Sequence, residues 1–268
     1  MSKLNSNGDE VRNAVNFLEG RKRYLNKEFK MNCGSIIKVD DYIDKFNVNI
    51  SFQDGTNYLC VANIDNIKNG SVKNPFLPNV YGGYFGIGPY KAINNMRIYK
   101  VWSGMLKRAN VYMDRVAYYN CTVDPEWLNF QIFCEWYLEK QSKLNPDYWN
   151  ELQLDKDVLQ WNLPNKIYSK NTCCLLPKEL NSILVSLSGP SEGSLPRGVQ
   201  RNSGKFSPYI NEGPKRKYYG IYENPEEAFG VYKIYKLNRI KDVADKYLSV
   251  NAIEKDIYNV LINIEILP

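Results

Sequence analysis

No histidine occurs among the 268 residues, and that absence prunes the chemistry open to the chain. It removes imidazole general bases, Ser-His-Asp and Cys-His nucleophilic sites, and every His-ligated metal. Carboxylates, amides, lysine, tyrosine, cysteine and a hard, oxygen-bound metal remain. The six cysteines (Cys33, Cys60, Cys121, Cys134, Cys173, Cys174) form no Cys-x-x-Cys pair. The segment Met1 to Gly8 lacks the apolar core of an export signal. The cysteines therefore read as reduced, buried small hydrophobes in a cytoplasmic protein.

Charge gathers in two places in the second half of the chain. Leu154-Asp155-Lys156-Asp157-Val158-Leu159 sets two carboxylates and an ammonium between apolar ends. Between Arg197 and Lys217 stand six basic residues, Arg197, Arg201, Lys205, Lys215, Arg216 and Lys217, against one acid, Glu212. They fall on strands and hairpin ends, where a sheet face would meet phosphates. The net charge of +6 suits a polyanion partner without demanding one. No apolar run approaches the roughly 18 residues of a membrane span, so no membrane partner is expected.

The elements that must position these groups follow from hydrophobic periodicity. Residues 1–20 read as a polar arm with a short amphipathic piece around Val11–Leu18. Alternation over Ser35–Val39, Val48–Phe52 and Tyr58–Val61, with an Asp54-Gly55 turn, predicts a small β-barrel module over 21–75. Gly82 to Tyr90 reads as a connector. Val101, Trp102, Met105, Leu106 and Ala109 predict a helix from Met96 to Val111. Asp124-Pro125-Glu126 starts another, continuing through Phe130, Phe133, Cys134 and Tyr137. From Leu154 to Leu187 the order is strand, loop, strand (Cys173–Leu176), then a helix after Pro177. Residues 188–196 are linker-like. Three short strands follow, the second marked by Pro208 as an edge or bulged strand. A helix capped by Asn224-Pro225-Glu226-Glu227 closes the pattern.

The C-terminal stretch resembles the plant ethylene-response-factor, or Apetala-type, DNA-binding domain. The resemblance rests on Arg197-Gly198-Val199, Ser203-Gly204-Lys205-Phe206, Tyr219-Gly220-Ile221-Tyr222 and Asn224-Pro225-Glu226-Glu227-Ala228-Phe229 with Tyr232, about 50 residues in register. It implies a three-stranded sheet in the DNA major groove, with the six basic residues above as DNA contacts. Leu154 to Leu187 resembles the ββα-metal core of HNH-type nucleases, especially phage homing endonucleases that carry such a C-terminal domain. This wider likeness runs through Tyr99-Lys100-Val101-Trp102, Cys121-Thr122-Val123, Asn165-Lys166-Ile167-Tyr168-Ser169 and Asn181-Ser182. It implies one Mg²⁺ or Mn²⁺ held by Asp155 and Asn181 at the scissile phosphate. It also implies that Asn171 braces the hairpin and that Lys156 takes the place of the water-activating histidine. Here the chain departs from the family, because an ordinary lysine has a pKa near 10.4 and is a poor base at neutral pH. Asp157 then becomes a candidate base, or Lys156 a stabiliser of the pentavalent phosphate.

The expectation is an α+β, multi-module chain: an N-terminal arm (1–20), a small β-barrel (21–75), a helical segment carrying the HNH-like core (76–190, core 154–187), and an Apetala-type sheet with its helix (191–268). The expected function is metal-dependent DNA endonuclease. The alternative is a catalytically degenerate regulator or anti-defence factor on the same scaffold. The expected partner is double-stranded DNA, in the host cytoplasm if the chain is phage-encoded. The oligomeric state is open, with a monomer favoured.

Overall fold

The computed structural model describes residues 6–112, 118–185, 195–212 and 215–268. Apart from its last two residues, the expected linker at 188–196 lies outside the described residues. The chain has mixed α and β structure and divides into two compact units, Met1–Asn79 with Tyr84–Ile87, and Val80–Gly83 with Gly88–Pro268.

In the first unit a helix, α1 (Ser6–Tyr24), replaces the expected polar arm. Its last turn carries Arg21, Lys22 and Arg23, where the negative end of the helix dipole favours cations. Gly20 is required for packing, since a Cβ there would fall 2.0 Å from the Tyr42 ring. Strands β1 (Glu28–Lys30), β2 (Ile36–Tyr42), β3 (Val48–Phe52) and β4 (Leu59–Ala62) pair antiparallel in that order. Period-two alternation buries Ile37 and Val39 with Val48, Ile50 and Phe52. Met31 and the short helix α2 (Ile64–Lys68) complete this core through Ile64 and Ile67. The sheet is open rather than the expected barrel: closure needs β1 to pair with β4, and both stay edges. Alternation specifies a half-buried strand but not closure, and here helical residues cover the apolar face. The predicted turn forms around Asp54, which accepts hydrogen bonds from Ser35, Thr56 and Asn74. Burial opposes its charge, but these donors hold its pKa down to about 2.

The second unit opens with a tight turn in which Val80 and Gly83 pair. A Cβ on Gly83 would meet Leu106 at 2.4 Å, so this glycine serves close packing. Helix α3 (Met96–Asn110) buries Trp102, Met105, Leu106 and Ala109 of the expected stripe, with Ile98 completing it, whereas Val101 is half-buried and lines a cavity. After β5 (Cys121–Val123), Asp124 caps a 3-10 turn over Pro125–Leu128. Asn129 then caps α4 (Phe130–Ser142), whose buried aromatics lie against Trp127 and Trp102. Strand β6 (Leu152–Asp155) begins two residues before the strand-like stretch Leu154–Leu159 and ends four residues short of its end, because the chain turns after Asp155 into a 3-10 turn at Val158–Gln160. It pairs antiparallel with β8 (Cys174–Pro177), and α5 (Lys178–Val185) follows directly. Between them β7 (Lys166–Tyr168) pairs parallel with β5. The strand–loop–strand–helix order therefore closes as a ββα unit.

Strands β9 (Val199–Asn202), β10 (Lys205–Glu212) and β11 (Lys215–Tyr218) form an antiparallel sheet with β10 in the centre. Pro208 is thus in the middle strand, not at an edge. Its carbonyl accepts from Tyr219, so its missing N–H falls on the same side. There the third strand breaks at Gly220 (φ +101°) before Tyr222 pairs with Phe206. Helix α6 (Pro225–Ser249), capped by Asn224, backs the sheet, and α7 (Lys255–Leu261) packs against α6 and the turn at Val158–Gln160. One hydrophobic core unites Cys174, Leu176, Leu180 and Leu184 with Ile210, Tyr232, Ile240, Ala244 and Leu261, so packing is continuous on either side of residue 190. Four cysteines are buried as expected, whereas Cys60 is half-buried and Cys33 exposed.

Candidate phosphate and metal site

Asp155 ends β6 as a buried carboxylate, 6% exposed. Its Oδ1 accepts from the backbone N–H of Asp157 and of Val158, both at 2.8 Å, which folds the chain into the turn after the strand. Oδ2 takes no hydrogen bond among the described residues. Burial raises its pKa to about 6. Lys156, also buried, donates to both oxygens of Asp157. Burial disfavours the ammonium, but the Asp157 carboxylate outweighs this and holds its pKa above the ordinary lysine value. Lys166 stands 3.8 Å from the same carboxylate, and burial lowers its pKa.

Asn181 projects from the first turns of α5, and its amide donates to Gln153 Oε1 on β6 at 2.7 Å. Among the described residues its Oδ1 is left for another partner. Asp155, Lys156, Asp157 and Asn181 all line one cavity of about 720 Å³. The same cavity is lined by Arg97, Lys100 and Arg108 from α3, with Tyr118 and Tyr168. Arg97 donates to the Leu152 carbonyl and to Asn150, and Arg108 donates to the Tyr168 hydroxyl. None of these three cations pairs with a carboxylate among the described residues.

Asn171 lies elsewhere. It is exposed, does not line the cavity, and engages through its backbone N–H with Ser169. The bracing expected of it is performed by buried Gln160, whose amide donates to the Lys156 and Ile167 carbonyls and accepts from the Ile167 N–H. The three cavity cations were legible as a stripe: positions 97, 100 and 108 recur on one helical face, and Trp102 and Met105 mark the other.

Among the described residues no three His, Cys, Asp or Glu side chains converge as a metal cage. Mg²⁺ needs less from protein, since one or two carboxylate-type oxygens with water and phosphate suffice. Asp155 Oδ2 and Asn181 Oδ1, on residues that line the same cavity, take no hydrogen bond among the described residues.

The sheet carries the remaining basic residues. Directly opposed residues share a face and successive ones alternate. Arg201 stands opposite Phe206, Lys217 opposite Ile210 and Lys215 opposite Glu212. This is the face that buries Ile210 against α6. Lys205 and Arg216 stand on the solvent face, where Arg216 donates to Gln200 and stacks over Tyr209. That face also presents Asn211 and Tyr218. Lys205 pairs with Glu223, and Arg197 precedes β9 and borders a separate cavity. The six basic residues therefore do not form one surface.

No protein-family model matches the chain, and comparison with curated proteins and solved structures returned no significant match. No described helix is long and apolar enough to cross a membrane.

Proposed function

We propose that this chain is a DNA-binding protein that hydrolyses phosphodiester bonds in the Asp155–Asn181 cavity with a divalent cation. One observation carries the reading: a buried carboxylate and an amide from one ββα unit share a cavity with three cations that have no acidic partner among the described residues. Arg97, Lys100 and Arg108 draw in and orient a backbone phosphate. Asp155 and Asn181 would hold Mg²⁺ or Mn²⁺, which would supply Lewis-acid stabilisation of charge on the phosphate and leaving oxygen. Lys156 stays protonated and adds a fixed positive charge rather than acting as a base. Asp157, the second carboxylate on the wall, is the group left to accept a proton from water. The solvent face of the sheet, with Gln200, Asn211 and Arg216, offers side chains suited to base edges.

A plasmid-nicking assay with Mg²⁺, Mn²⁺ or chelator, beside Asp155→Asn, tests this reading. Nicking that needs metal and disappears in the variant is expected; equal nicking by the variant rejects the site. A second reading, DNA binding without hydrolysis, is favoured by the Lys156–Asp157 ion pair, which ties up the proton acceptor. Salt-sensitive binding with no nicking on DNA from the protein's own source selects that reading.

A further inference from the structure

Strands β1 and β4 are the two edges of the sheet in the first unit, and they are finished differently. β1 is three residues long and charged at both ends, by Glu28 and Lys30, a composition that discourages further pairing. β4 reads Leu-Cys-Val-Ala, and no charged residue or proline stands anywhere from Gly55 to Ile64. The register decides which of its backbone groups are spare. The Phe52 N–H donates to the Tyr58 carbonyl. The hydrogen-bonded pairs between β3 and β4 are therefore Phe52 with Tyr58, Ile50 with Cys60 and Val48 with Ala62. Leu59 and Val61 turn their N–H and C=O groups to the open side, where they meet no strand among the described residues. Their side chains stand opposite Ser51 and Asn49 on the outer face and are 67% and 59% exposed. Cys60 stands opposite Ile50, on the face that packs against the core.

We propose that β4 is a self-association edge, where a second copy of this chain adds its own β4 antiparallel about a two-fold axis at Cys60. The spare groups argue for this occupant. In that register Leu59 lies opposite Val61 of the second copy, and Val61 opposite its Leu59. Each pair exchanges two hydrogen bonds, so all four outward groups of each strand are satisfied. The same pairing sets leucine against valine twice on the outer face, an apolar cross-strand contact. It brings no like charges together, the ordinary obstacle to self-association in a chain of net charge +6. The two Cys60 residues meet as a non-hydrogen-bonded pair with Cα atoms about 4.5 Å apart, within disulfide range. A strand pair this short is a small interface, so the dimer is weak and reversible.

Sedimentation velocity of the intact chain under reducing conditions, from micromolar to millimolar concentration, tests this. Reversible monomer–dimer exchange is expected. Leu59→Lys gives β4 the edge charge it lacks, at an exposed site. It should weaken association at least tenfold and leave the melting temperature unchanged. Val61→Pro removes an outward N–H while sparing the ladder to β3, and the same loss of association is expected. A covalent readout checks the register. In a Cys33→Ser background, which removes the exposed thiol, diamide takes two electrons and two protons from a pair of Cys60 thiols. A Cys60–Cys60 disulfide between chains is expected, mapped by mass spectrometry. A chain that stays monomeric to millimolar concentration leaves the edge to another occupant and overturns the proposal. So does a dimer whose affinity neither variant changes, or one in which diamide leaves Cys60 unlinked.

Discussion

The Lys156 ammonium donates to both carboxylate oxygens of Asp157, its neighbour in sequence, at 2.9 Å each. The lysine is 8% exposed at the side chain and the aspartate 22%. Such a pair is defined less by what it contributes than by what its loss leaves behind. Lys156→Met should cost about 1–3 kcal/mol of folding stability, limited by the remaining Lys166 contact. Urea unfolding of the variant measures it, and an unchanged midpoint would show that the pair is energetically idle.

Asp155 has a folded-state pKa of about 6 against an ordinary 3.8. The folded chain thus binds a proton more tightly than the unfolded chain. Its contribution to stability is full below pH 3.8 and is lost as pH rises through 6, on the order of 3 kcal/mol for two pKa units. Asp155→Asn keeps the Oδ1 acceptor for both N–H donors. The variant should melt above wild type at pH 8, with the gap closing towards pH 4. Mg²⁺ should raise the wild-type melting temperature at pH 8 and leave the variant unmoved. Thermal melts across that pH range, with and without Mg²⁺, read both effects.

Lys100 is exposed on the cavity rim and makes no ion pair among the described residues. Lys100→Gln should preserve stability while weakening binding to a short duplex. The slope of log affinity against log salt should fall by about one unit. A fluorescence-anisotropy salt series measures that slope, and an unaltered one removes Lys100 from the phosphate contacts.

The sheet makes a directional prediction. Arg216 is on the solvent face with Gln200 and Tyr209, whereas Arg201 shares a face with Phe206 and Ile210. Arg216→Ala should weaken DNA binding about tenfold, within the roughly 1–3 kcal/mol of a good base contact. Arg201→Ala should weaken it less. The reverse order in the same anisotropy assay would place DNA on the other face.

Gln160→Leu should destabilise by about 2–4 kcal/mol, because one substitution strips the side-chain partner from the Lys156 carbonyl and from the Ile167 N–H, leaving the Ile167 carbonyl only its bond from the Thr172 hydroxyl. Denaturant unfolding reads the loss, and a change below 1 kcal/mol would mean that water replaces the amide.

Much of this fold was legible where periodicity and caps agree. The α3 stripe, the Asn224 cap and the strand–loop–strand–helix order after Leu154 all rest on local signals that tertiary packing then endorsed. The failures have local causes too. Helix α1 has a weak apolar stripe in a polar stretch, so it read as an arm. The open sheet read as a barrel because alternation carries no information about which edges meet. Pro208 pointed to an edge or bulged strand, but the break at Gly220 in its neighbour lets a proline occupy the centre. At the site, Asp155 and Asn181 were placed by resemblance, and the fold brings both to one cavity. Asn171 was not brought there. Gln160 was missed because an amide that substitutes for backbone pairing leaves no mark in a sequence pattern.

The shared core from Cys174 to Leu261 has a consequence for how this chain can be cut or recombined. Severed near residue 190, each fragment would carry an unfinished apolar surface: Leu180 and Leu184 on one, Ile210, Tyr232 and Ile240 on the other. Neither piece is a portable cassette. The sheet and the ββα unit are obliged to mature together and to be inherited as a single block.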